Sequence, residues 1–154
     1  MTSVNESDVF EHDRPDHALA LLADAFDLFR RDLEAEFATM AVPAFLDGVR
    51  GSQMRLLQLT PPAGLSATQL AVRAGMTKQA LGELAASLEA RGLYESVSHP
   101  TDRRLRIWRP TVLGREASET ADRAVATVEH RWRRHLGAAD WDALRDTLSR
   151  ARAR

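Results

Sequence analysis

The sequence contains no cysteine among its 154 residues, which excludes disulfide frameworks, thiolate metal sites, cysteine nucleophiles and thiol redox sensors. No apolar run approaches the ~18 residues that a membrane-spanning helix needs, and residues 1–16 lack the apolar stretch of a secretory signal. We find no phosphate-binding glycine loop, nucleophile–base pair or metal-ligand set. These absences predict a cytoplasmic protein that is not an enzyme, binds no metal or cofactor and does not contact membranes.

The composition is that of one ordinary domain, with 44% hydrophobic residues, 28% charged residues and a net charge of −1. The charges are unevenly placed, because residues 1–48 hold eleven acids and three bases whereas residues 66–115 hold four acids and eight bases. A basic middle indicates a polyanionic partner for that segment; the alternative is an ordinary solvated surface. Residues 1–15 have few apolar side chains and are predicted to form a disordered acidic tail.

Hydrophobic periodicity predicts a mostly α-helical chain with one small β-hairpin. The predicted elements are helices over 16–40, 44–59 (with a break near Gly48 and Gly51), 66–74 and 78–91, strands over 93–98 and 104–109, and helices from 112 to about 136 and from 140 to about 152. A capping box at Ser66 begins the third helix and Gly75 ends it. Because Pro110 has no amide hydrogen, the second strand is predicted to end by residue 109. The N-caps predicted for the later helices are Thr77, Thr111 and Asp140.

The order of helix, helix, glycine turn, helix, strand, loop and strand is that of a winged helix-turn-helix. The helix over 78–91 has an apolar stripe for the core, and residues at the N-terminal end of such a helix point at base edges in DNA. Glutamine can pair with adenine and lysine with guanine or phosphate, while small residues let the backbone approach. The alternative is a core helix with a polar exterior. The candidate DNA contacts in this region are Ser66, Thr77, Lys78, Gln79 and Gly82.

The loop between the two predicted strands is rich in arginine. Arginine on a thin loop suits a narrow A·T-rich minor groove, whose negative potential is enhanced. Asp102 is placed to orient Arg104 through a charge-assisted hydrogen bond. The alternative is a solvated edge strand that arginines keep soluble. The candidate DNA contacts here are Asp102, Arg103, Arg104 and Arg106.

With these motifs the sequence resembles the MarR (multiple antibiotic resistance regulator) family of bacterial transcription regulators. The matching stretches are SQMRLLQL, SATQLAVRAGMTKQALGELAASLEARGLYE and HPTDRRLRIWRPTVLGR. The resemblance covers about residues 15–152 and implies a single domain over 16–154. It further implies an obligate homodimer, a palindromic double-stranded DNA operator and, often, release by a small aromatic or phenolic ligand. The implied parts are a winged core over about 44–112 and long dimerisation helices over about 16–40 and 112–152.

Three residues depart from the family pattern. Glu83 stands where a polar or basic contact residue is common, Glu95 stands where a basic residue often follows the recognition helix, and Pro110 replaces the usual leucine before Thr111. Because a carboxylate near phosphate is repulsive, the two glutamates bear directly on affinity for DNA.

The terminal helices carry more apolar surface than a winged domain of about 65 residues can cover. Burying that surface stabilises by ~25 cal/mol per Å², and a two-fold dimer buries it with one self-complementary patch. Such a dimer also spaces two reading helices by about one DNA turn, ~34 Å. The alternative is a helical bundle within a monomer. The candidate dimerisation residues are Phe26, Phe29, Trp141, Leu144 and Leu148.

Three functional hypotheses follow. The first is a sequence-specific DNA-binding transcription regulator, a ligand-responsive repressor that acts as a homodimer. The second is a winged-helix module for ligand sensing or protein interaction with weak or no DNA binding. Glu83 and Glu95 favour this hypothesis. The third is an enzyme, which no residue constellation supports. The sequence assigns no effector pocket.

Overall fold

The computed structural model describes residues 16–99, 101–102 and 105–152. Within these ranges the chain forms six α-helices, one 3-10 helix and three short strands. No helix in this part of the chain is both long enough and apolar enough to cross a membrane. The elements are α1 (Ala18–Thr39), a 3-10 helix (Ala44–Leu46), α2 (Gly51–Leu59), β1 (Leu65–Ser66), α3 (Ala67–Ala74), α4 (Lys78–Ala90), β2 (Tyr94–Ser98), β3 (Arg106–Pro110), α5 (Val112–Leu136) and α6 (Ala138–Arg152).

The helices and strands form two compact units. We call Ala41–Thr127 the winged unit, and the described residues up to Met40 and from Val128 the arm unit. This arrangement is the predicted fold class, a mostly helical winged helix-turn-helix with long helices at both ends. The predicted break near Gly48 is also present, because a 3-10 helix and a left-handed Gly48 separate α1 from α2.

The winged unit has a core of fully buried leucines. On α4, Leu81, Ala85 and Leu88 face this core with no exposed surface. The apolar periodicity predicted a stripe of Leu81, Leu84 and Leu88, of which Leu84 is only partly buried. The other core leucines, each no more than 1% exposed, are Leu56, Leu57, Leu70 and Leu93. The close approach of α5 depends on Gly114, since a Cβ at this position would overlap the backbone carbonyl of Leu93.

The sheet of the winged unit is antiparallel, with strand order β1-β3-β2. Strand β1 was not predicted, because two residues are too few to show a strand periodicity. In the structure it pairs Leu65 with Trp108 and Ser66 with Ile107. The predicted end of the second strand at residue 109 is wrong, since Pro110 lies in β3 opposite Tyr94. Pro110 is tolerated there because it forms the last pair of the ladder, where a missing donor removes one hydrogen bond at most.

Two of the later helix starts were predicted at Thr111 and Asp140. The hydroxyl of Thr111 accepts from the Gly114 amide at 3.1 Å, which confirms Thr111 as a cap of α5. The prediction for Asp140 is wrong, because α6 begins at Ala138 and Trp141 N donates to Gly137 O at 3.1 Å. Gly137, at φ +91°, makes the turn into the helix. Asp140 instead lies in the first turn of α6, where its negative charge interacts favourably with the helix dipole.

The arm unit is held together by an aromatic cluster. Phe29 of α1 meets Trp132 of α5 edge to face, with ring centroids 5.4 Å apart, and Trp132 lies 6.1 Å from Trp141 of α6. The indole nitrogen of Trp132 donates to Asp32 Oδ2 at 2.7 Å. Yet α1 has no buried residue along its whole length. This unit therefore has local cross-links between its helices but leaves one side of α1 uncovered.

Candidate nucleic-acid interface

Caps and one glycine set the geometry of the helix-turn-helix formed by α3 and α4. Ser66 Oγ accepts a hydrogen bond from the backbone N–H of Gln69 at 3.3 Å, and the Gln69 side-chain oxygen accepts one from Ser66 N at 3.0 Å. These two bonds form the predicted capping box. Gly75 ends α3 in the left-handed conformation, at φ 66° and ψ 36°. Two residues later, Thr77 Oγ1 accepts from Ala80 N at 3.2 Å and begins α4. The start of α4 is thus set by the cap at Thr77.

The outer face of α4 brings together four of the predicted contact residues. Nothing lies within 4 Å of the position that a Cβ on Gly82 would occupy, so the backbone is open to close approach there. Ser66 lies apart from this face, half-buried, and its hydroxyl is occupied by the capping box. The exposed residues of the face include Thr77, Lys78, Gln79 and Gly82.

Two contacts that the sequence did not reveal hold α4 in the winged unit. Gln53 of α2 is 2% exposed, and its amide donates to Ser87 Oγ of α4 at 2.8 Å. Arg91, directly after α4, donates to the carbonyls of Asp47 and Gly48 at 2.9 and 3.1 Å. The two residues of each contact are more than thirty positions apart in the sequence, so no local pattern indicates these contacts.

The wing consists of β2, β3 and the loop that joins them. Arg106 is exposed at the start of β3, and its Nε donates to Ser96 Oγ across the ladder at 2.7 Å. The loop is closed by His99 N, which donates to Leu105 O at 2.8 Å, and by Leu105 N, which donates to Asp102 O at 3.0 Å. The predicted contact residues Arg103 and Arg104, and with them the predicted Asp102–Arg104 contact, lie outside the described residues.

The two glutamates that depart from the family pattern have different surroundings. Glu95 on β2 is opposite Arg109 on β3, and their side chains form an ion pair at 2.7 Å. This pair largely neutralises the carboxylate, and the cross-strand register would have revealed it had the pairing been known. Glu83 on α4 accepts a hydrogen bond from Gln79 Nε2 at 3.4 Å instead. The negative charge on the outer face of α4 is therefore retained.

Tyr94 lies where β2 leaves the core of the winged unit. Its hydroxyl donates to Leu56 O at 3.0 Å and lies against the Thr60 hydroxyl. Burial raises the pKa of Tyr94 to about 12, against a smaller lowering by the hydrogen bond with Thr60.

Within the described residues, no group of histidine, aspartate and glutamate side chains is arranged to hold a metal ion.

The arm unit contains the predicted dimerisation residues, which differ in exposure. Phe26 is 68% exposed, and Leu144 and Leu148 are also exposed. Phe29 and Trp141 instead pack against Trp132 of the same chain, and Trp141 is only 6% exposed. A single chain thus leaves Phe26, Leu144 and Leu148 exposed, whereas it covers much of Phe29 and Trp141.

Comparisons with known proteins agree with this architecture. Residues 47–105 match the model of the MarR family. The comparison with curated proteins finds no match. Among solved structures, a transcriptional repressor, CouR, bound to a 23-mer DNA duplex is 28% identical, with a TM-score of 0.68 over 99% of this chain and 100% of that one.

Two further structures show the same fold at lower identity. CouR from Rhodococcus jostii RHA1 bound to p-coumaroyl-CoA is 22% identical, with a TM-score of 0.69 over 86% of this chain and 90% of that one. The PcaV transcriptional regulator from Streptomyces coelicolor, in complex with its natural ligand, is 19% identical, with a TM-score of 0.69 over 99% and 98% of the two chains. The segment over residues 47–105, which contains α2, α3, α4 and β2, is thus similar to the MarR family, and nearly the whole chain shares its fold with solved transcriptional regulators.

Proposed function

We propose that this chain is a regulator that binds double-stranded DNA in a sequence-specific manner through α4 and the wing. The observation that carries the proposal is the two-sided character of α4, whose inner stripe is fully buried while its outer face is exposed, polar and open at Gly82. A helix of 13 residues is about 20 Å long, and the major groove admits a helix of this kind. The similarity to a repressor bound to a DNA duplex supports the same role.

The active form is a homodimer on an inverted repeat. Helix α1 has 22 residues and none of them is buried, so one face of it lacks the cover that stabilises an amphipathic helix. Its exposed apolar residues are Leu19, Leu21, Leu22, Phe26 and Leu28. A two-fold axis covers such a face with an identical copy of itself, and it presents two α4 helices to successive major-groove faces of a palindrome.

The regulator is a repressor that a small aromatic compound releases from its operator. The support is similarity of fold to proteins whose structures hold p-coumaroyl-CoA or a natural ligand, together with similarity to a repressor on DNA. A ligand releases DNA only if it binds the DNA-free conformation more tightly than the DNA-bound one. Such a regulator works beside the chromosome, in the bacterial cytoplasm, and needs no catalytic group.

Selection of bound duplexes from a random pool tests the proposal. The full chain should enrich an inverted repeat with half-sites about one helical turn apart, ~10 base pairs, and one of a panel of aromatic acids and their thioesters should release it. A pool that shows no enrichment would overturn the proposal. That result would favour the second candidate, a protein-interaction module, for which the retained charge of Glu83 is the supporting observation.

Arg104→Ala tests the wing. Loss of a groove or phosphate contact should weaken binding to the selected duplex by about 1–3 kcal/mol. Arg145→Ala is the matched control, because this exposed arginine is on α6 in the arm unit. Equal affinity of the Arg104 variant and the unchanged protein for every duplex would contradict the role of the wing.

A further inference from the structure

The outer face of α4 has few side chains that are long enough to reach a base. After Lys78 at the first position, the exposed residues of the middle of the helix include Ala80, Gly82 and Ala86, which are short. Between Lys78 and Glu89, the long exposed side chains of α4 are those of Gln79 and Glu83. Discrimination between base pairs by the middle of α4 therefore falls on these two residues.

Gln79 and Glu83 act as one unit, because they lie one turn apart and share a hydrogen bond. Gln79 Nε2 donates to Glu83 Oε1 at 3.4 Å. An ionised carboxylate only accepts, so the amide nitrogen of Gln79 must face it and the orientation of the amide is set. The Gln79 carbonyl oxygen and the second Glu83 oxygen are then both acceptors on the exposed face.

The charge of Glu83 is not cancelled by a cation in the part of the chain that the structure describes. Glu83 accepts a hydrogen bond from the neutral amide of Gln79, whereas Glu95 forms an ion pair with Arg109. A carboxylate that enters a DNA groove loses water and meets a negative potential, which is unfavourable unless a donor replaces the water. In the major groove, the cytosine N4 amino group is the donor that pairs with a carboxylate.

We infer that Glu83 makes this protein selective for cytosine at one position of each half-site, through the cytosine N4 amino group, while it holds Gln79 in the orientation that reads a neighbouring adenine. The inference rests on the proposed DNA-binding function and deepens it. Residues 79 and 83 are about 6 Å apart along the helix, so their touching side chains address neighbouring base pairs. In this role the carboxylate lowers the affinity for most DNA sequences, but not for a sequence that supplies the cytosine N4 donor.

The test repeats the selection from random duplexes with the full-length protein and with Glu83→Ala, Glu83→Gln and Glu89→Gln. The unchanged protein should prefer cytosine over other bases at one half-site position by roughly 10- to 100-fold. Glu83→Ala should abolish the preference at that position, and Glu83→Gln should shift it toward adenine. Glu89→Gln is the matched control, because it removes the same charge from another exposed position of α4 and should leave every preference unchanged. Thermal unfolding of each variant verifies that it folds.

The outcomes separate the inference from the proposed function. If the unchanged protein selects a duplex and the two Glu83 variants select the same sequence with the same preferences, the inference is overturned and DNA binding stands. Tighter binding of the Glu83 variants to all duplexes alike, with no change in sequence, would mean simple repulsion and would also overturn it. If the unchanged protein selects nothing, the proposed function fails and the inference fails with it.

Discussion

The winged unit and the arm unit differ in how much of their apolar surface a single chain buries. In the winged unit, Leu70, Leu81, Leu88 and Leu93 have no exposed surface within a single chain. In the arm unit, α1 has no buried residue and Phe26 is 68% exposed. Both segments have comparable apolar periodicity, so the pattern of residues does not distinguish them.

This difference indicates which part of the molecule is complete in one chain. The winged unit fills its core with side chains from its own helices and sheet. In the described part of the arm unit, Val128 and Trp141 are buried, and Phe29, Trp132 and Trp141 form an aromatic cluster, while α1 has no buried residue. We therefore expect changes in the winged unit to act independently of protein concentration and changes at the exposed face of α1 to act through association.

The largest expected effect comes from placing a charge on the exposed face of α1. Phe26→Asp removes roughly 1.5–3 kcal/mol of apolar burial from each copy, and it adds a carboxylate that must be desolvated. Sedimentation should therefore show dimers of the unchanged chain and monomers of the variant at the same micromolar concentration. Val72→Asp is the control, since Val72 is 79% exposed on α3 and should leave association unchanged. Dimers of both variants would contradict the assignment of the α1 face.

The next effect concerns Gly114 and tests the self-contained core of the winged unit. A Cβ there would overlap the Leu93 carbonyl oxygen and lie 3.2 Å from Leu57 Cδ2. Gly114→Ala should thus lower the free energy of unfolding by about 3 kcal/mol, since α5 or β2 must move. Denaturant titration at two protein concentrations measures this loss, which should be equal at both. Unfolding that matches the unchanged protein would show that α5 is not packed this closely.

Tyr94 gives the winged unit a pH dependence in the alkaline range. Because burial raises the pKa of Tyr94 to about 12 from an ordinary 10, the neutral phenol is favoured in the folded protein. Its contribution of roughly 2–3 kcal/mol is fully present below pH 10 and is lost as the pH rises to about 12. Thermal melts from pH 9 to 12 should show this decline, and Tyr94→Phe should flatten it. An equal decline in both proteins would assign it to other groups.

The smallest effect is a gain in stability at Gly82. Nothing lies within 4 Å of a Cβ at this position, and alanine is a better helix former than glycine. Gly82→Ala should therefore raise the free energy of unfolding by roughly 0.5–1 kcal/mol. Denaturant titration beside Gly114→Ala gives the comparison of an open and a closed glycine in one unit. A loss of stability at Gly82 would mean that the outer face of α4 is covered.

Local signals in the sequence predicted the helices of the winged unit within a residue or two. Ser66, Gly75 and Thr77 act on neighbours only a few residues away, so their roles are legible in the chain itself. The two-residue strand β1 and the Glu95–Arg109 pair depend on strand register, which emerges only when distant segments meet. Gln53 and Arg91 were missed for the same reason.

The arm unit shows a second limit of periodicity. The apolar stripe of α1 correctly predicted the helix, but it did not separate residues that pack against the same chain from residues that stay exposed. Phe29 packs on Trp132, whereas Phe26, three positions earlier on the same stripe, remains exposed. That division depends on where α5 and α6 lie, which no spacing within α1 records. The exposed position of the candidate DNA contacts on α4 was predictable because the cap and the periodicity set both the start of the helix and its outer face.

Lys78 is the single lysine of the sequence and lies at the first position of α4, so amine-selective acetylation reports directly on the helix proposed to enter DNA. The measurement is the acetylation rate of Lys78 in the full chain, read by mass spectrometry, with the selected duplex, with a scrambled duplex and with none. The α-amino group of the same chain serves as the internal reference. We expect the selected duplex alone to protect Lys78 strongly. Unchanged acetylation of Lys78 while the complex with the selected duplex is fully formed would contradict the role of α4.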